Sequence, residues 1–327
     1  MSDAERPDLE LAALGGAPAR RGIAVPLWSW KGASAKALTE YAESRLGEIA
    51  ALGATDVSLV VSWVQADVKS SAIAPAAVTP PDEVVSAAIA AARARGLRVL
   101  VFPILMLEKT AAGEWRGTVA PGDVDTWWMA YERFVLHYAA IAAAGGAPSL
   151  SIGSELGSTE AWQDRWYHLI SGVEKIFPGE LTYSANWDHY KQVSFASRLD
   201  LLGVTGYFEL TKDAGATEAA LTDAWKGPRK ALVDWARGLA KPLAVTEIGY
   251  PSLDGAATRP WDYTRSAKID LEEQRRAYRA FARAWSGQAL AAVYFWEWSA
   301  PGGPGDGGYT PRGKPAEQEL KAWFRGR

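Results

Sequence analysis

Eight short apolar runs, almost every one followed by a segment of helical texture, limit what this chain can fold into. The runs lie at 22–28, 56–63, 98–105, 149–155, 181–187, 201–208, 243–250 and 291–298. Between them stand Ala-rich, charged stretches at 34–52, 81–95, 124–144, 159–176, 217–239 and 271–285, whose apolar residues recur at helical spacing. Pro80-Pro81-Asp82-Glu83 reads as a helix start, and Gly53, Gly96 and Gly145 as helix stops. The stretch 188–200 is too short for an assured helix. Near-continuous apolar strands separated by helices predict a parallel sheet covered on both faces. Eight such units in 327 residues predict an α/β fold, a single (β/α)8 TIM barrel with a parallel eight-stranded core. No Gly-x-Gly-x-x-Gly follows the first run, so a dinucleotide fold has no support. Residues 1–21 read as a poorly ordered lead-in and 22–327 as one catalytic barrel, which ends in a Gly-rich loop at 302–308 and a helix from about Ala316.

A barrel of this kind places every strand's C-terminal end on one rim, where active sites of the fold are built. Two runs end in a carboxylate: Ser151-Ile152-Gly153-Ser154-Glu155 and Val245-Thr246-Glu247-Ile248-Gly249. An apolar run normally rejects an ionised group, because burying it without partners costs several kcal/mol or shifts its pKa. Glu155 and Glu247, at the ends of the fourth and seventh runs, therefore form the candidate catalytic pair across the mouth. Around them the rim offers Trp28, Trp30 and Lys31 at and just past the end of the first run, Trp63 and Gln65 at and just past the end of the second, and Asn186 and Trp187 at the end of the fifth. Tyr207, Tyr250, Trp296 and Glu297 lie at the ends of the sixth to eighth, and Arg116 lies on the third loop. These are the candidate substrate-binding residues. Glu297 has two readings, a contact to a sugar hydroxyl or an outward position in the helix layer; Arg116 likewise reads as a hydroxyl contact or as a rim ion pair. Trp127-Trp128 and the pair Trp162 and Trp166 stand in helical stretches, where packing is the simpler reading.

Composition narrows the chemistry. With no cysteine, thiol nucleophiles, disulfides and Cys-ligated metals are excluded, and three histidines without a His-Glu-x-x-His pattern leave a zinc hydrolase unsupported. A net charge of −3 and a pI near 5.8 offer no basic surface for nucleic acid. Sixteen tryptophans exceed what a core ordinarily needs, and aromatic grooves bind the apolar faces of sugar rings. Two carboxylates suit glycoside hydrolysis. One protonates the leaving oxygen, while the other attacks the anomeric carbon at a separation of roughly 5–5.5 Å or activates water at roughly 6.5–9.5 Å. The apolar setting of Glu155 favours the protonated form that an acid needs, and Tyr207 is placed to donate to an ionised Glu247. The expected partner is a carbohydrate, acted on without a cofactor or metal by a monomer, with neither nucleic acid nor membrane involved. No secretory signal or membrane span is visible in the sequence, so a cytoplasmic location is expected.

An ordered series of segments carries a family resemblance: Trp28-Ser29-Trp30-Lys31-Gly32, Trp63-Val64-Gln65, Glu114-Trp115-Arg116-Gly117, Ser151 to Glu155, Thr182 to Trp187, Gly203 to Tyr207, Thr246 to Tyr250 and Gly313-Lys314-Pro315-Ala316. Their order over nearly the whole chain after Arg21 resembles glycoside hydrolase family 113, the β-mannanase family of the retaining clan A of (β/α)8 hydrolases. The resemblance implies Glu155 as acid/base and Glu247 as nucleophile, with Tyr207 and Trp296 bordering the sugar at the cleavage point. Ser154 stands where many members of the wider clan carry Asn, as a small hydroxyl residue also does in this family. Pro103-Ile104 replaces a Pro-His pair that is frequent in it. Two other readings stay open. A catalytically silent carbohydrate-binding barrel would keep the aromatic groove without needing both glutamates. A phosphate-binding metabolic barrel would want a Gly-rich loop after the seventh and eighth runs, where Glu247-Ile248-Gly249-Tyr250-Pro251 and Trp296-Glu297-Trp298 stand instead.

Overall fold

A computed structural model describes residues 20–326. The eight apolar runs become eight parallel strands: β1 (Arg20–Pro26), β2 (Asp56–Gln65), β3 (Arg98–Leu107), β4 (Ser149–Ser154), β5 (Glu180–Ala185), β6 (Leu201–Thr205), β7 (Leu243–Ile248) and β8 (Ala292–Phe295). Each pairs with the next, and β1 also pairs with β8, so the sheet closes on itself as a (β/α)8 barrel. A two-residue antiparallel strand, Ile73–Ala74, is appended to the end of β2. The expected lead-in over 1–21 falls mostly outside the described residues; its last two, Arg20 and Arg21, already belong to β1.

Helices wrap the barrel: α1 (Ala35–Leu52), α2 (Asp82–Ala94), α3 (Val124–Gly145), α4 (Gln163–Glu174), α5 (Glu218–Ala224), α6 (Lys226–Leu239), α7 (Leu271–Trp285) and α8 (Pro315–Phe324). Between β5 and β6 only two 3-10 turns occur, Tyr190–Gln192 and Ala196–Arg198, which is why that stretch carried so weak a helical signal. Side chains cap the helices where expected: Ser34, Asp123 and Asp270 each accept a backbone N–H at the start of α1, α3 and α7.

Two apolar layers result. A small cluster fills the barrel interior, with Ala24, Val60, Leu100, Phe102, Ile104, Leu201, Ala244, Ala292 and Tyr294. A much larger one lies between strands and helices and takes up most of the large aromatics. Eight of the sixteen tryptophans are buried, among them Trp127, Trp166, Trp225 and Trp285 with no more than 1% exposure. Trp127 stacks on Tyr131, and Trp166 on Phe195, at centroid distances of 5.1 and 4.3 Å. Much of the tryptophan content thus packs helices onto strands. It does not line a groove.

The end of the barrel opposite the rim is closed by one buried cation. Arg20 on β1 donates to Asp56 of β2 at 3.2 Å, Ser149 of β4 at 2.9 Å, Tyr294 of β8 at 3.1 Å and Glu180 of β5 at 2.5 Å. Burial opposes its charge, yet Tyr294, Glu180 and Asp56 more than offset that and hold the guanidinium firmly protonated.

Candidate active site

Strict alternation along β7 would turn Glu247 away from the mouth. Ala244 faces the barrel interior and Val245 the helices, so Thr246 should point in and Glu247 out. The strand instead carries one extra residue. Val204 of β6 lies opposite Val245, but its successor Thr205 lies opposite Glu247. The pairing with β8 slips by the same step, from Val245 opposite Val293 to Ile248 opposite Phe295. Thr246 and Glu247 therefore both sit inside, Thr246 with its Oγ1 2.6 Å from Ser184 Oγ. A similar slip occurs in β4, where Ser151 pairs with Thr182 and Ser154 with Ser184. Bulges of this kind re-aim side chains next to active sites.

Glu155 follows the bulge of β4 with φ of +54°, a left-handed conformation that a non-glycine residue adopts only when its surroundings hold it there. Both carboxylates are enclosed, with 7% of Glu155 and 4% of Glu247 exposed. Ser154 Oγ donates to Glu247 Oε1 at 3.2 Å, and Tyr207 OH to Glu247 Oε2 at 3.4 Å. Arg116, in the 3-10 turn Arg116–Thr118 of the β3–α3 loop, donates through Nη2 to Glu155 Oε2 at 2.6 Å. Burial first, and then the charge of Glu155, push the Glu247 carboxyl upward; Arg116, Ser154 and Tyr207 pull the other way. The setting of the two glutamates thus differs from the sequence expectation. Glu155 has a cationic partner, and the upward push falls on Glu247.

The other expected site residues divide into three groups. Trp28 and Trp296 are half-buried over the barrel interior with ring centroids 6.1 Å apart, and Tyr207 lies beside Glu247. Asn186 and Trp187 are half-buried at the end of β5, where Thr205 Oγ1 donates to Asn186 Oδ1 at 3.5 Å and Trp187 packs edge-on to Phe208 at 5.5 Å. Glu297 faces the mouth side as well. Its Oε1 accepts from Ser299 Oγ at 3.1 Å, its Oε2 is buried without a hydrogen bond, and burial pushes its carboxyl up to about 7. In a second group, Trp30 and Lys31 stand further out, both exposed, with Trp30 edge-on to Tyr41.

Three expectations need correction. Trp63 packs against Phe134 and His137 of α3, at 5.5 and 5.3 Å. Gln65 is wholly buried and accepts from Trp127 Nε1 at 2.8 Å. Tyr250 is wholly buried beside Tyr278 of α7. All three face the helix layer, because odd-numbered residues of β2 point outward and the chain after β7 passes behind the rim.

Some supporting residues went unread in the sequence. Ser154, in sequence only a departure from the wider clan, reaches Glu247 with its hydroxyl. Tyr309 comes from the tail loop, lies edge-on to Tyr207 at 6.4 Å and is tied by its hydroxyl to Pro260 O at 2.6 Å. Among the described residues, the acidic group Asp254, Asp270 and Glu273 has metal-like spacing. Glu273 accepts the N–H groups of Gly255 and Ala257, and Asp270 caps α7, so two of the three carboxylates are occupied by backbone.

The family model described as Glycoside Hydrolase Family 113 matches residues 27–306. No curated protein sequence matches the chain. Among solved structures, the GH113 beta-mannanase from Alicyclobacillus acidocaldarius in complex with ManMIm is 25% identical, superposes with a TM-score of 0.81, and the match covers 95% of this chain and 98% of that one. A structure of a GH113 beta-1,4-mannanase is 23% identical with a TM-score of 0.83, covering 95% of this chain and 100% of that one.

Proposed function

The chain belongs to glycoside hydrolase family 113, and from that premise we propose that it cleaves β-linked, mannose-containing oligo- or polysaccharides with retention of configuration, Glu155 acting as acid/base and Glu247 as nucleophile. The observation that carries this reading is the pair of bulges: two strands depart from regular pairing, and each departure is followed by an inward carboxylate. In the first step the glycosidic oxygen takes the proton of Glu155 as its bond to the anomeric carbon breaks, and a Glu247 oxygen bonds to that carbon. In the second, Glu155 takes a proton from water, the water oxygen attacks the same carbon, and the Glu247 carboxylate leaves. The charge of Glu155 acts on Glu247, and such like charges favour retention of one proton by the pair, the proton that the leaving oxygen requires. Arg116 is in reach of Glu155, and a substrate hydroxyl that competes for its guanidinium would shift the proton toward Glu155 and the charge toward Glu247. Ser154 and Tyr207, which donate to Glu247, favour its ionised form.

Trp28 and Trp296 suit the apolar face of a sugar ring, while Asn186, Trp187 and Glu297 suit its edges. A net charge of −3 favours a neutral glycan over a polyanion.

Hydrolysis of mannan and mannooligosaccharides, read by chromatography and by NMR of the first-formed anomer, tests the activity. Glu155→Ala and Glu247→Ala should each lose on the order of 1,000-fold in kcat while staying folded. Azide should restore turnover of the Glu155→Ala variant on an activated aryl glycoside and give a product of unchanged anomeric configuration. Equal, modest losses in both variants would sink the assignment.

A further inference from the structure

One buried carboxylate near the mouth has no part in the reaction described above. Glu160, at the end of the turn between β4 and α4, is 1% exposed. Its Oε1 accepts from Tyr183 OH at 2.8 Å, and that hydroxyl in turn accepts the backbone N–H of Leu156 at 2.7 Å. Leu156 directly follows Glu155. The carbonyl of Leu156 is held as well, by Thr159 N at 2.8 Å and Thr159 Oγ1 at 2.9 Å, while Glu155 N donates to Ser184 O at 2.8 Å. The backbone is therefore pinned on both sides of the residue that sits at φ +54°.

The direction of the chain matters. A tyrosine hydroxyl has one proton, and giving it to Glu160 leaves the oxygen lone pairs for Leu156. A carboxylate can only accept, so an ionised Glu160 enforces that polarity; a glutamine, or the protonated acid, can donate to Tyr183 and compete for its oxygen with the Leu156 N–H, which can itself only donate. Glu160 Oε2 lies buried without a hydrogen bond, an unfavourable arrangement if the residue served stability alone.

We propose that Glu160 is a positioning residue for the acid/base: through Tyr183 and the N–H of Leu156 it holds the left-handed backbone of Glu155 that aims the carboxyl at the scissile oxygen. This rests on Glu155 being the acid/base. Tyr183 of β5, His189 and Asp188 of the loop after β5, and Glu155 at the end of β4 are the titratable groups that act on Glu160; burial dominates and raises it to about 6. The polarity of the chain is thus lost as pH falls through about 6.

The test compares two leaving groups. A mannooligosaccharide needs its leaving oxygen protonated, whereas dinitrophenolate departs unaided. Glu160→Gln and Tyr183→Phe should lower kcat/KM on mannotetraose by about 10–100-fold, as expected for a misplaced reacting group, and leave kcat/KM on a dinitrophenyl β-mannobioside within about threefold of the parent. Equal losses on both substrates, or none on either, would overturn the inference. Glu155→Ala, assayed in parallel, separates the two levels: if it shows no leaving-group dependence, the acid/base assignment itself fails. If it does and the two variants do not, only the role of Glu160 fails. Should either variant not fold, the unmodified enzyme answers by its pH profile. The oligosaccharide-to-dinitrophenyl ratio of kcat/KM should fall below about pH 6, where a general acid acting alone would keep or raise it; a flat or rising ratio overturns the proposal.

Discussion

Enclosing Glu247 beside Glu155 works against folding, and how strongly depends on pH. Its folded carboxyl titrates above the ordinary value of 4.5, chiefly because it is buried. The native chain thus favours the proton. Stability from this group is fully present below about pH 4.5 and declines as pH rises, until the native group ionises too. Glu247→Gln should therefore melt with the parent in acid but higher than the parent, on the order of a few °C, near pH 8, because the glutamine stays neutral where the buried carboxylate ionises. Thermal melts at both pH values decide it; a constant difference would contradict the electrostatic cause. A second contrast separates the aromatic residues of the rim from those behind it. Trp63→Ala should destabilise by about 3–5 kcal/mol in denaturant titrations and leave KM unchanged, because it removes packing against α3. Trp28→Ala should raise KM with little change in stability, since Trp28 is only half-buried over the mouth.

At the scale of the element, the strand ends do more than their bodies. The bodies of β4 and β7 follow ordinary parallel pairing, and the single extra residue in each decides where a carboxylate points. That extra residue leaves no trace in a string of apolar letters, because both faces of a barrel strand are buried and alternation carries little polarity signal. For the same reason Trp63, Gln65 and Tyr250 could not be told from rim residues by their position after a run. The strand end itself is legible: Gly249 and Pro251 break the strand pattern at the end of the seventh run, and β7 ends at Ile248. Gly249 also fixes the neighbour. A Cβ there would stand 2.2 Å from Trp296 O and 3.1 Å from a Tyr309 ring carbon. Gly249→Ala should then push Trp296 off its place and cut kcat/KM by roughly 10–100-fold, a magnitude that about an ångström of misplacement produces. Unchanged kinetics would show that the strand end yields without moving Trp296.

Across the whole molecule the barrel separates stability from function by height. One end is held by the Arg20 network, which joins β1, β2, β4, β5 and β8 in a set of buried, charge-assisted bonds. Removing the cation would leave Glu180 with Ser149 alone and Asp56 with hydroxyls and the more distant Arg98 at 3.8 Å, so Arg20→Met should cost about 3 kcal/mol in urea unfolding. The folded fraction should keep its kcat, because the network lies at the far end from Glu155 and Glu247. A loss in kcat without a loss in stability would contradict this division.

Patterning alone determined the eight strands, the helices between them, the weak link at 188–200 and the two glutamates at run ends, because hydrophobic periodicity and turn residues act locally. Only the tertiary structure decided that Glu247 turns inward, that Arg116 meets Glu155, that Ser154 reaches Glu247 and that Tyr183 ties Glu160 to Leu156. Those contacts join residues of different strands and loops, 23 to 93 positions apart, and their geometry follows from strand register and barrel closure, which no local pattern encodes.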